Sequence, residues 1–331
     1  IAPFSPPKQL RKCLIKALQN TDLTHYPDRH HLELKQSIGD WHKIDPSMIL
    51  PGNGAAELIT WAAHDAAKGG LSILPCPGFG DYQRALKCWD GFYKESFIPL
   101  NWCNRFPQAF PLKPDSNVIW ITNPHNPTGQ LWSRESLEEL LSKQNLVICD
   151  EAFLPLVPQG ERQSLIPLVS QYQNLIVIRS LTKLFAIAGL RFGYAISSAK
   201  RLNKWHSFRD PWPVNGLAIA GAKMLFGKND ILKKQTERIH KWIIKENHWM
   251  QTKMKELPGI SVHPSSANFF LIESNVSLIH IKEKLRERLI LIRDCNSFEG
   301  LNDRWLRISL QKRDGNRRIL KAITSALNEN E

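Results

Sequence analysis

Short apolar runs alternate with amphipathic segments over roughly the first two thirds of the chain. Runs of apolar residues bounded by turn formers predict strands at residues 71–75, 94–98, 117–122, 145–149, 174–179 and 192–197. Segments with helical spacing of apolar positions predict helices at residues 8–20, 54–67, 79–89, 134–143 and 198–207. This alternation predicts an α/β fold in which helices cover both faces of a mainly parallel sheet.

The pattern changes at about residue 215. A long helical stretch, 215–256, is followed by strands near 259–262 and 268–273 and by a helix at 277–288. Strands near 290–294 and 304–309 and a closing helix at 314–328 complete the chain. This part is typical of a smaller α+β domain, and a length of 331 residues accommodates two domains. We see no signal peptide and no apolar run long enough to span a membrane, and the scattered cysteines fit a reducing cytoplasm.

Composition narrows the class of protein only slightly. The formal net charge is +13, from 44 Lys and Arg against 31 Asp and Glu. Such a surplus fits a nucleic-acid binder, or a basic surface with a pocket for anionic ligands. We favour the second, because the densest basic pairs, Lys233-Lys234 and Arg317-Arg318, lack interleaved aromatic residues. The six cysteines form no CxxC pair and no zinc-binding spacing, which predicts no disulfide and no metal site.

The most informative motif is Ser180-Leu-Thr-Lys183, with Arg191 eight residues after the lysine. It follows the apolar run at 175–178. The hydroxyls of Ser180 and Thr182 and the guanidinium of Arg191 are suited to gripping a phosphate beside the lysine. Such a triplet alone is common by chance, but its order and spacing resemble the lysine signature of the fold-type I aminotransferases, which depend on pyridoxal 5′-phosphate (PLP). The resemblance implies that Lys183 carries the cofactor as a Schiff base.

Five further motifs occur in the order that this family shows. An Asp-Glu-Ala-Phe segment begins at Asp150, and the resemblance implies that this carboxylate keeps the cofactor's ring nitrogen protonated. The Asn-Pro-Thr-Gly segment at 126–129 implies a hydrogen bond from Asn126 to the cofactor's phenolic oxygen. The Gly-rich entry to a helix at 52–57 offers backbone amides to the phosphate. The remaining positions implied by the resemblance are Gly54, Ala55 and Ala56 at the phosphate, Phe79 stacked on the ring, and Tyr26 reaching the partner subunit's phosphate.

The resemblance covers nearly the whole chain and implies the PLP-transferase fold type I. In that fold a large domain with a mainly parallel, seven-stranded sheet is joined to a small α+β domain. We therefore expect residues 21–210 to form the large domain, and residues 1–20 to join 211–331 in the small one. The predicted role of Tyr26 implies a homodimer with shared active sites.

Two subfamilies compete: histidinol-phosphate aminotransferase, and the L-threonine-O-3-phosphate decarboxylase of cobalamin biosynthesis. Three features are similar to the decarboxylase: the segment Asp210-Pro-Trp212-Pro, the segment 290–301, and Phe153 in place of the Tyr usual in aminotransferases. Arg307 matches the arginine that typical aminotransferases use for the substrate carboxylate. Our hypothesis is that Arg293 and Arg307 hold a substrate phosphate instead, so that the carboxylate is free to leave.

A third alternative is a non-catalytic module of this fold in a DNA-binding regulator. No segment before Gly52 resembles a helix-turn-helix, and Lys183, Asp150 and Arg191 are all present. We therefore predict a PLP-dependent decarboxylase, with the aminotransferase as the alternative and no nucleic-acid or membrane partner.

Overall fold

The computed structural model describes residues 1–20, 24–227 and 230–329. Its main feature is a seven-stranded sheet in the order β1-β7-β6-β5-β4-β2-β3. The strands β2 to β6 run parallel, and β7 is antiparallel to both of its neighbours. The strands are β1 Ile49–Asn53, β2 Ser72–Cys76, β3 Tyr93–Phe97, β4 Val118–Thr122, β5 Leu146–Asp150, β6 Leu175–Ser180 and β7 Phe192–Ile196.

Helices cover this sheet on both faces because its central strands are apolar on both faces. Along β5, Val147 packs into one hydrophobic cluster while its neighbours Leu146 and Ile148 pack into the other. Successive side chains of a strand point to opposite faces, so an unbroken apolar run predicts such double burial. The helices in the first two thirds of the chain are α1 Lys8–Asn20, α2 Leu32–His42, α3 Gly54–Gly69, α4 Asp81–Lys87, α5 Arg134–Leu141, α6 Thr182–Phe185 and α7 Ala199–Phe208, of which α1 does not cover this sheet.

A second, antiparallel sheet of four strands lies in the C-terminal part, in the order β10-β11-β9-β8. Its strands are β8 Ile260–Val262, β9 Phe269–Ser274, β10 Arg293–Asp294 and β11 Trp305–Ser309. The accompanying helices are α8 Gly216–Phe226, α9 Ile231–Met254, α10 Ile279–Glu287 and α11 Arg313–Asn328. Short 3-10 helices occur at Pro46–Met48, Leu154–Leu156, Gly160–Gln163, Ile166–Leu168 and Ala188–Leu190.

The predicted architecture, a mainly parallel seven-stranded sheet plus a small α+β part, is therefore confirmed. The N-terminal helix α1 packs against α8, and Leu10 approaches Gly221 there. The domain limits at 20/21 and 210/211 stay a prediction, and residues 21–23, where the first limit falls, lie outside the described residues.

Four elements differ from the sequence-based expectation. The strand β1 and the helix α2 were not predicted. The stretch 215–256, expected to be one helical region, forms two helices, since α8 ends at Phe226 and α9 begins at Ile231. The strand expected at 290–294 is shortened to β10, an edge strand preceded by the exposed Leu291.

Two kinds of feature are absent from the described part of the chain. No helix there is both long and apolar enough to cross a bilayer. The same residues contain no group of three or more His, Cys, Asp or Glu side chains placed to share a metal ion. All six cysteines are present as free thiols.

Candidate active site

Strands β4, β5 and β6 end side by side at Thr122, Asp150 and Ser180. The carboxyl ends of parallel strands are the usual place for a ligand site in an open α/β sheet. A cavity of about 250 Å³ opens at this edge. It is lined by Gly54, Ala55, Ala56, Ile59, Phe79, Asp81, Thr122, Asn126, Asp150, Ala152, Phe153, Ser180, Thr182, Lys183 and Arg191. Ten of the thirteen site residues predicted from the sequence thus line one cavity.

One end of the cavity is built to receive an anion. Gly54, Ala55 and Ala56 form the first turn of α3, where backbone amides have no partner within the helix and the helix dipole is positive. Arg191 packs directly over this turn. A Cβ at Gly54 would lie 2.6 Å from Arg191 Nη2, and Gly54 has φ +77. Only glycine allows this close approach, so the turn and the guanidinium form one phosphate-sized cradle.

The hydroxyls of Ser180 and Thr182 lie at the same end, with their oxygens 2.8 Å apart. They follow β6 directly, at the entry to α6. Two adjacent hydroxyls can both donate to a phosphate, which accepts through three oxygens.

Lys183 belongs to α6 and lines the cavity. Burial lowers the pKa of its ammonium group, Asp150 opposes that shift, and Arg307 and Arg191 reinforce it. The Nζ lies 5.4 Å from the centre of the Phe153 ring. A lysine with a lowered pKa is more often neutral and therefore more nucleophilic, as attack on a carbonyl requires.

Asp150 lies at the end of β5 and is buried. Burial raises the pKa of its carboxyl group, while hydrogen bonds from the Ala152 amide and the Tyr82 hydroxyl, together with the charge of Lys183, lower it. The Ala152 amide donates to Oδ1 at 2.9 Å and the Tyr82 hydroxyl donates to Oδ2 at 2.9 Å. The carboxylate is thus held by two donors and lines the same cavity as Lys183.

Two further predicted residues occupy the walls. The Asn126 side-chain oxygen accepts a hydrogen bond from Arg307 Nη1, which leaves the amide nitrogen available to a ligand. Phe79 is 38% exposed and packs edge-on against Tyr82, with ring centres 5.5 Å apart. Its position agrees with the predicted stacking role, which stays a prediction.

Three predicted residues lie outside the cavity. Tyr26 is 74% exposed and stacks on Trp212, with ring centres 4.1 Å apart. Arg307 lies on β11 directly opposite Arg293 on β10 and reaches the cavity through Asn126. Arg293 is exposed and donates to Ser297.

The sequence motifs gave no role to Tyr82 and Thr122, although both belong to the site. Tyr82 is 3% exposed, and its hydroxyl lies between Thr122 Oγ1, 2.8 Å away, and Asp150. A usable signal was the spacing of Tyr82 three residues after Phe79 at the start of a predicted helix, which places both on one face.

A buried ionic network lies behind the cavity and joins the ends of β5 and β6. Arg179, which precedes Ser180, is 2% exposed and donates through Nε to Glu151 at 2.8 Å. Glu151, which follows Asp150, also accepts from Ser164 Oγ at 2.8 Å. Arg179 makes two further bonds to Glu161, at 2.7 and 2.9 Å. The network therefore fixes the strand that carries Asp150 against the strand that leads to Lys183.

The comparisons with known proteins agree with this geometry. The family model described as aminotransferase class I and II matches residues 2–323. A relative from Caldanaerobacter subterraneus subsp. tengcongensis, named only provisionally as a threonine-phosphate decarboxylase, is 30% identical over 99% of this chain and 89% of its own.

Two crystal structures carry the two competing activities in their names. The histidinol-phosphate aminotransferase of Clostridium acetobutylicum superposes with a TM-score of 0.86 and 26% identity, covering 99% of this chain and 98% of its own. The L-threonine-O-3-phosphate decarboxylase of Porphyromonas gingivalis superposes with a TM-score of 0.83 and 27% identity, covering 98% and 97%.

This chain belongs to the class I and II aminotransferase family. It has the PLP fold type I and is an enzyme of this PLP-dependent group, with PLP as its cofactor. The residues fit the cofactor. The glycine cradle under Arg191 suits its phosphate, the buried acceptor Asp150 suits its ring nitrogen, and Lys183 would offer an amine to its aldehyde in the same cavity.

Proposed function

We propose that this enzyme decarboxylates L-threonine O-3-phosphate to (R)-1-amino-2-propanol O-2-phosphate, a reaction of cobalamin biosynthesis. The observation that carries the proposal is a pair of arginines without carboxylate partners at the edge of the cofactor cavity. Arg307 and Arg293 are paired across β10 and β11, and their hydrogen bonds within the described residues go to Asn126 and Ser297 rather than to a carboxylate.

The environment of Arg307 supports an anionic substrate. Its guanidinium lies 5.0 Å from the ring centre of Phe269 and 5.9 Å from that of Phe298. Its Nε is buried and has no hydrogen-bond partner in the described part of the chain. Burial lowers the pKa of the group to about 10. A partly buried guanidinium whose Nε donor is unused is destabilising unless a ligand accepts from it, and a phosphate or carboxylate can accept through two parallel hydrogen bonds.

Arg293 extends this subsite toward the solvent. Its guanidinium lies 5.3 Å from the ring centre of Phe298, so both arginines contact one aromatic ring. Ser297, to which Arg293 donates, lines a recess of about 190 Å³ that also contains Phe79. These contacts support a subsite for a dianion near the expected ring-stacking residue.

Substrate orientation then selects the reaction. When bound, PLP accepts the electron pair of whichever bond to the substrate's Cα stands perpendicular to its ring. Arginines that hold the phosphate leave the carboxylate free to take that position, and binding energy from the remote phosphate enforces the pose. Asp150 would keep the cofactor's ring nitrogen protonated, so that the electron pair of the bond from Cα to the carboxylate has an acceptor when CO2 is lost. Lys183 Nζ is the candidate donor of the proton that Cα then takes up.

Phe153 supports the same assignment. Its ring faces Lys183 Nζ and packs edge-on against Phe269, with ring centres 5.3 Å apart. It offers no hydroxyl to the cofactor, in contrast to the Tyr expected of an aminotransferase. It instead forms an apolar wall beside the amine.

The alternative is an aminotransferase that acts on histidinol phosphate, and the similarity to the Clostridium acetobutylicum enzyme favours it. One experiment separates the two. Purified holoenzyme receives L-threonine phosphate and CO2 is measured, while a parallel sample receives histidinol phosphate with 2-oxoglutarate and glutamate is measured. CO2 without glutamate is expected, and glutamate alone rejects the decarboxylase.

The arginine pair has its own test. Arg307→Gln removes a charge-assisted fork, so KM for L-threonine phosphate is expected to rise about 10- to 100-fold. Arg286→Gln, on the exposed face of α10, is the matched control and should leave KM unchanged. An unchanged KM in Arg307→Gln would mean that the substrate anion binds elsewhere.

We also propose a homodimer in which Tyr26 completes the partner's site. The stacked pair Tyr26 and Trp212 is exposed in the single chain, at 74% and 40%, as expected of aromatic residues that a partner covers. Mixing Lys183→Ala and Tyr26→Ala subunits tests this, because one site of each mixed dimer then has both native residues. Turnover above that of either variant alone is expected, and no gain would contradict shared sites.

A further inference from the structure

We infer that Tyr82 is a positioning residue for the cofactor: with Thr122 it forms a one-way hydrogen-bond chain that holds Asp150 ionised and correctly rotated toward the ring nitrogen. The inference rests on the predicted role of Asp150 and not on which substrate the enzyme uses. Neither Tyr82 nor Thr122 was assigned a function by the sequence motifs.

The direction of the chain follows from donor counting. Tyr82 Oη lies 2.9 Å from Asp150 Oδ2 and 2.8 Å from Thr122 Oγ1. An ionised carboxylate can only accept, and a phenol has one proton, so that proton points to Asp150. The Thr122 hydroxyl must then donate to Tyr82. Chains of this kind polarise each bond in turn, which strengthens the final bond to the carboxylate.

The strand register makes the arrangement rigid. Thr122 and Asp150 are paired residues at the ends of β4 and β5, so one phenol can bridge their side chains. The Tyr82 ring is buried and packs against Trp120, with ring centres 5.0 Å apart. Its edge also supports Phe79, the predicted stacking residue. Tyr82 therefore connects the residue expected on the face of the ring with the residue expected at its nitrogen.

The surrounding charges explain why a donor is needed. Burial raises the pKa of Asp150, and Asp81 from α4 raises it further. Three groups lower the pKa of Asp150 and oppose these effects: the Ala152 amide, the Tyr82 hydroxyl and the charge of Lys183 from α6. Burial also raises the pKa of Tyr82 well above its ordinary value, so the phenol keeps the proton that it donates.

The test is cofactor binding to the apoenzyme, which requires no substrate. Tyr82→Phe removes only the hydroxyl, and we expect its Kd for PLP to rise about 10-fold, with a shift in the pH profile of the bound cofactor's visible absorbance. Thr122→Val removes the second donor and should give a smaller rise, about 3-fold. Tyr194→Phe is the matched control, because Tyr194 is equally buried at 3% but bonds His42 at 2.8 Å, away from Asp150.

The results distinguish a failure of this inference from a failure of the assumed role of Asp150 or of the proposed reaction. A Tyr82→Phe enzyme with the parent's Kd and absorbance profile overturns it, as does an equal effect of Tyr194→Phe. If Tyr82→Phe does not fold, an unchanged Kd and profile in Thr122→Val is decisive against the chain. Asp150→Asn should weaken PLP binding more than either variant, and if it does not, the role of Asp150 is wrong. Failure of the CO2 assay leaves all of these binding results intact.

Discussion

Gly54 offers a quantitative test of the phosphate cradle. It is the first residue of α3 and has φ +77, and a Cβ there would lie 2.6 Å from Arg191 Nη2 and 3.1 Å from its Cζ. Gly54→Ala therefore perturbs two things at once: the backbone conformation of the turn and the position of the guanidinium.

The two costs can be separated. An L-residue in the left-handed region costs about 1–2 kcal/mol, which appears as lost stability of the apoenzyme. Displacing Arg191 removes a charge-assisted bond to the cofactor phosphate, worth about 1.5–3 kcal/mol, which appears as a PLP Kd roughly 10- to 100-fold higher. The first cost is independent of the cofactor and the second is not.

The assay is urea unfolding of the apoenzyme combined with PLP titration. Gly216→Ala is the matched control, because Gly216 also begins a helix, α8, but a Cβ there meets nothing within 4 Å. That substitution should leave PLP binding unchanged and stabilise the apoenzyme by about 0.4–1 kcal/mol. If Gly54→Ala unfolds at a lower urea concentration yet binds PLP as the parent does, Arg191 and the α3 turn do not hold the phosphate.

Three further outcomes are expected. Lys183→Ala should lose the visible absorbance of the lysine-bound cofactor and nearly all turnover; normal colour would reject Lys183 as the attachment site. Glu151→Gln should lower the free energy of unfolding by about 3 kcal/mol, because it leaves part of the charge of buried Arg179 unpaired. The control Glu256→Gln, which removes an exposed ion pair with Lys253, should change the free energy of unfolding by less than about 0.5 kcal/mol. Equal effects of the two substitutions would contradict the stabilising role of the buried network. Burial lowers the pKa of His125 from 6.5 to about 3, so only the unfolded chain binds this proton as the pH falls below 6.5, and stability declines. His125→Gln should therefore flatten the fall in unfolding free energy over that range by about 1.4 kcal/mol per pH unit; an unchanged slope would show that His125 titrates normally.

The elements that the sequence predicted correctly have strong local signals. The strands β4, β5 and β6 are five or six residues long, fully buried and bounded by turn residues. The strand β1 was missed because Pro51 and Gly52 interrupt its pattern, and they are tolerated because β1 is an edge strand. The helix α2 contains Gly39 and begins after His31 without a side-chain cap, so its start signal is weak.

The site residues likewise divide into those with strong local sequence signals and those without. Asp150, Ser180, Lys183 and Asn126 each follow a recognisable strand in a recognisable motif, so the amino-acid sequence alone is enough to predict that they meet at one edge of the sheet. The contacts of Tyr82 with Asp150 and of Arg307 with Asn126 could not be predicted in this way, because they join segments 68 and 181 residues apart.

The chain's own order of apolar runs and turns thus determined the fold class, and the resemblance of its motifs to a known family indicated the cofactor and most of the cavity lining. Only the tertiary structure decided which strands are neighbours, which buried acid meets which donor, and which arginines are left without a partner. The physical reason is the distance along the chain over which each kind of signal acts. Hydrophobic periodicity and turn chemistry act within about ten residues along the chain. Hydrogen bonds and ion pairs depend on positions to a few tenths of an ångström, which packing alone establishes.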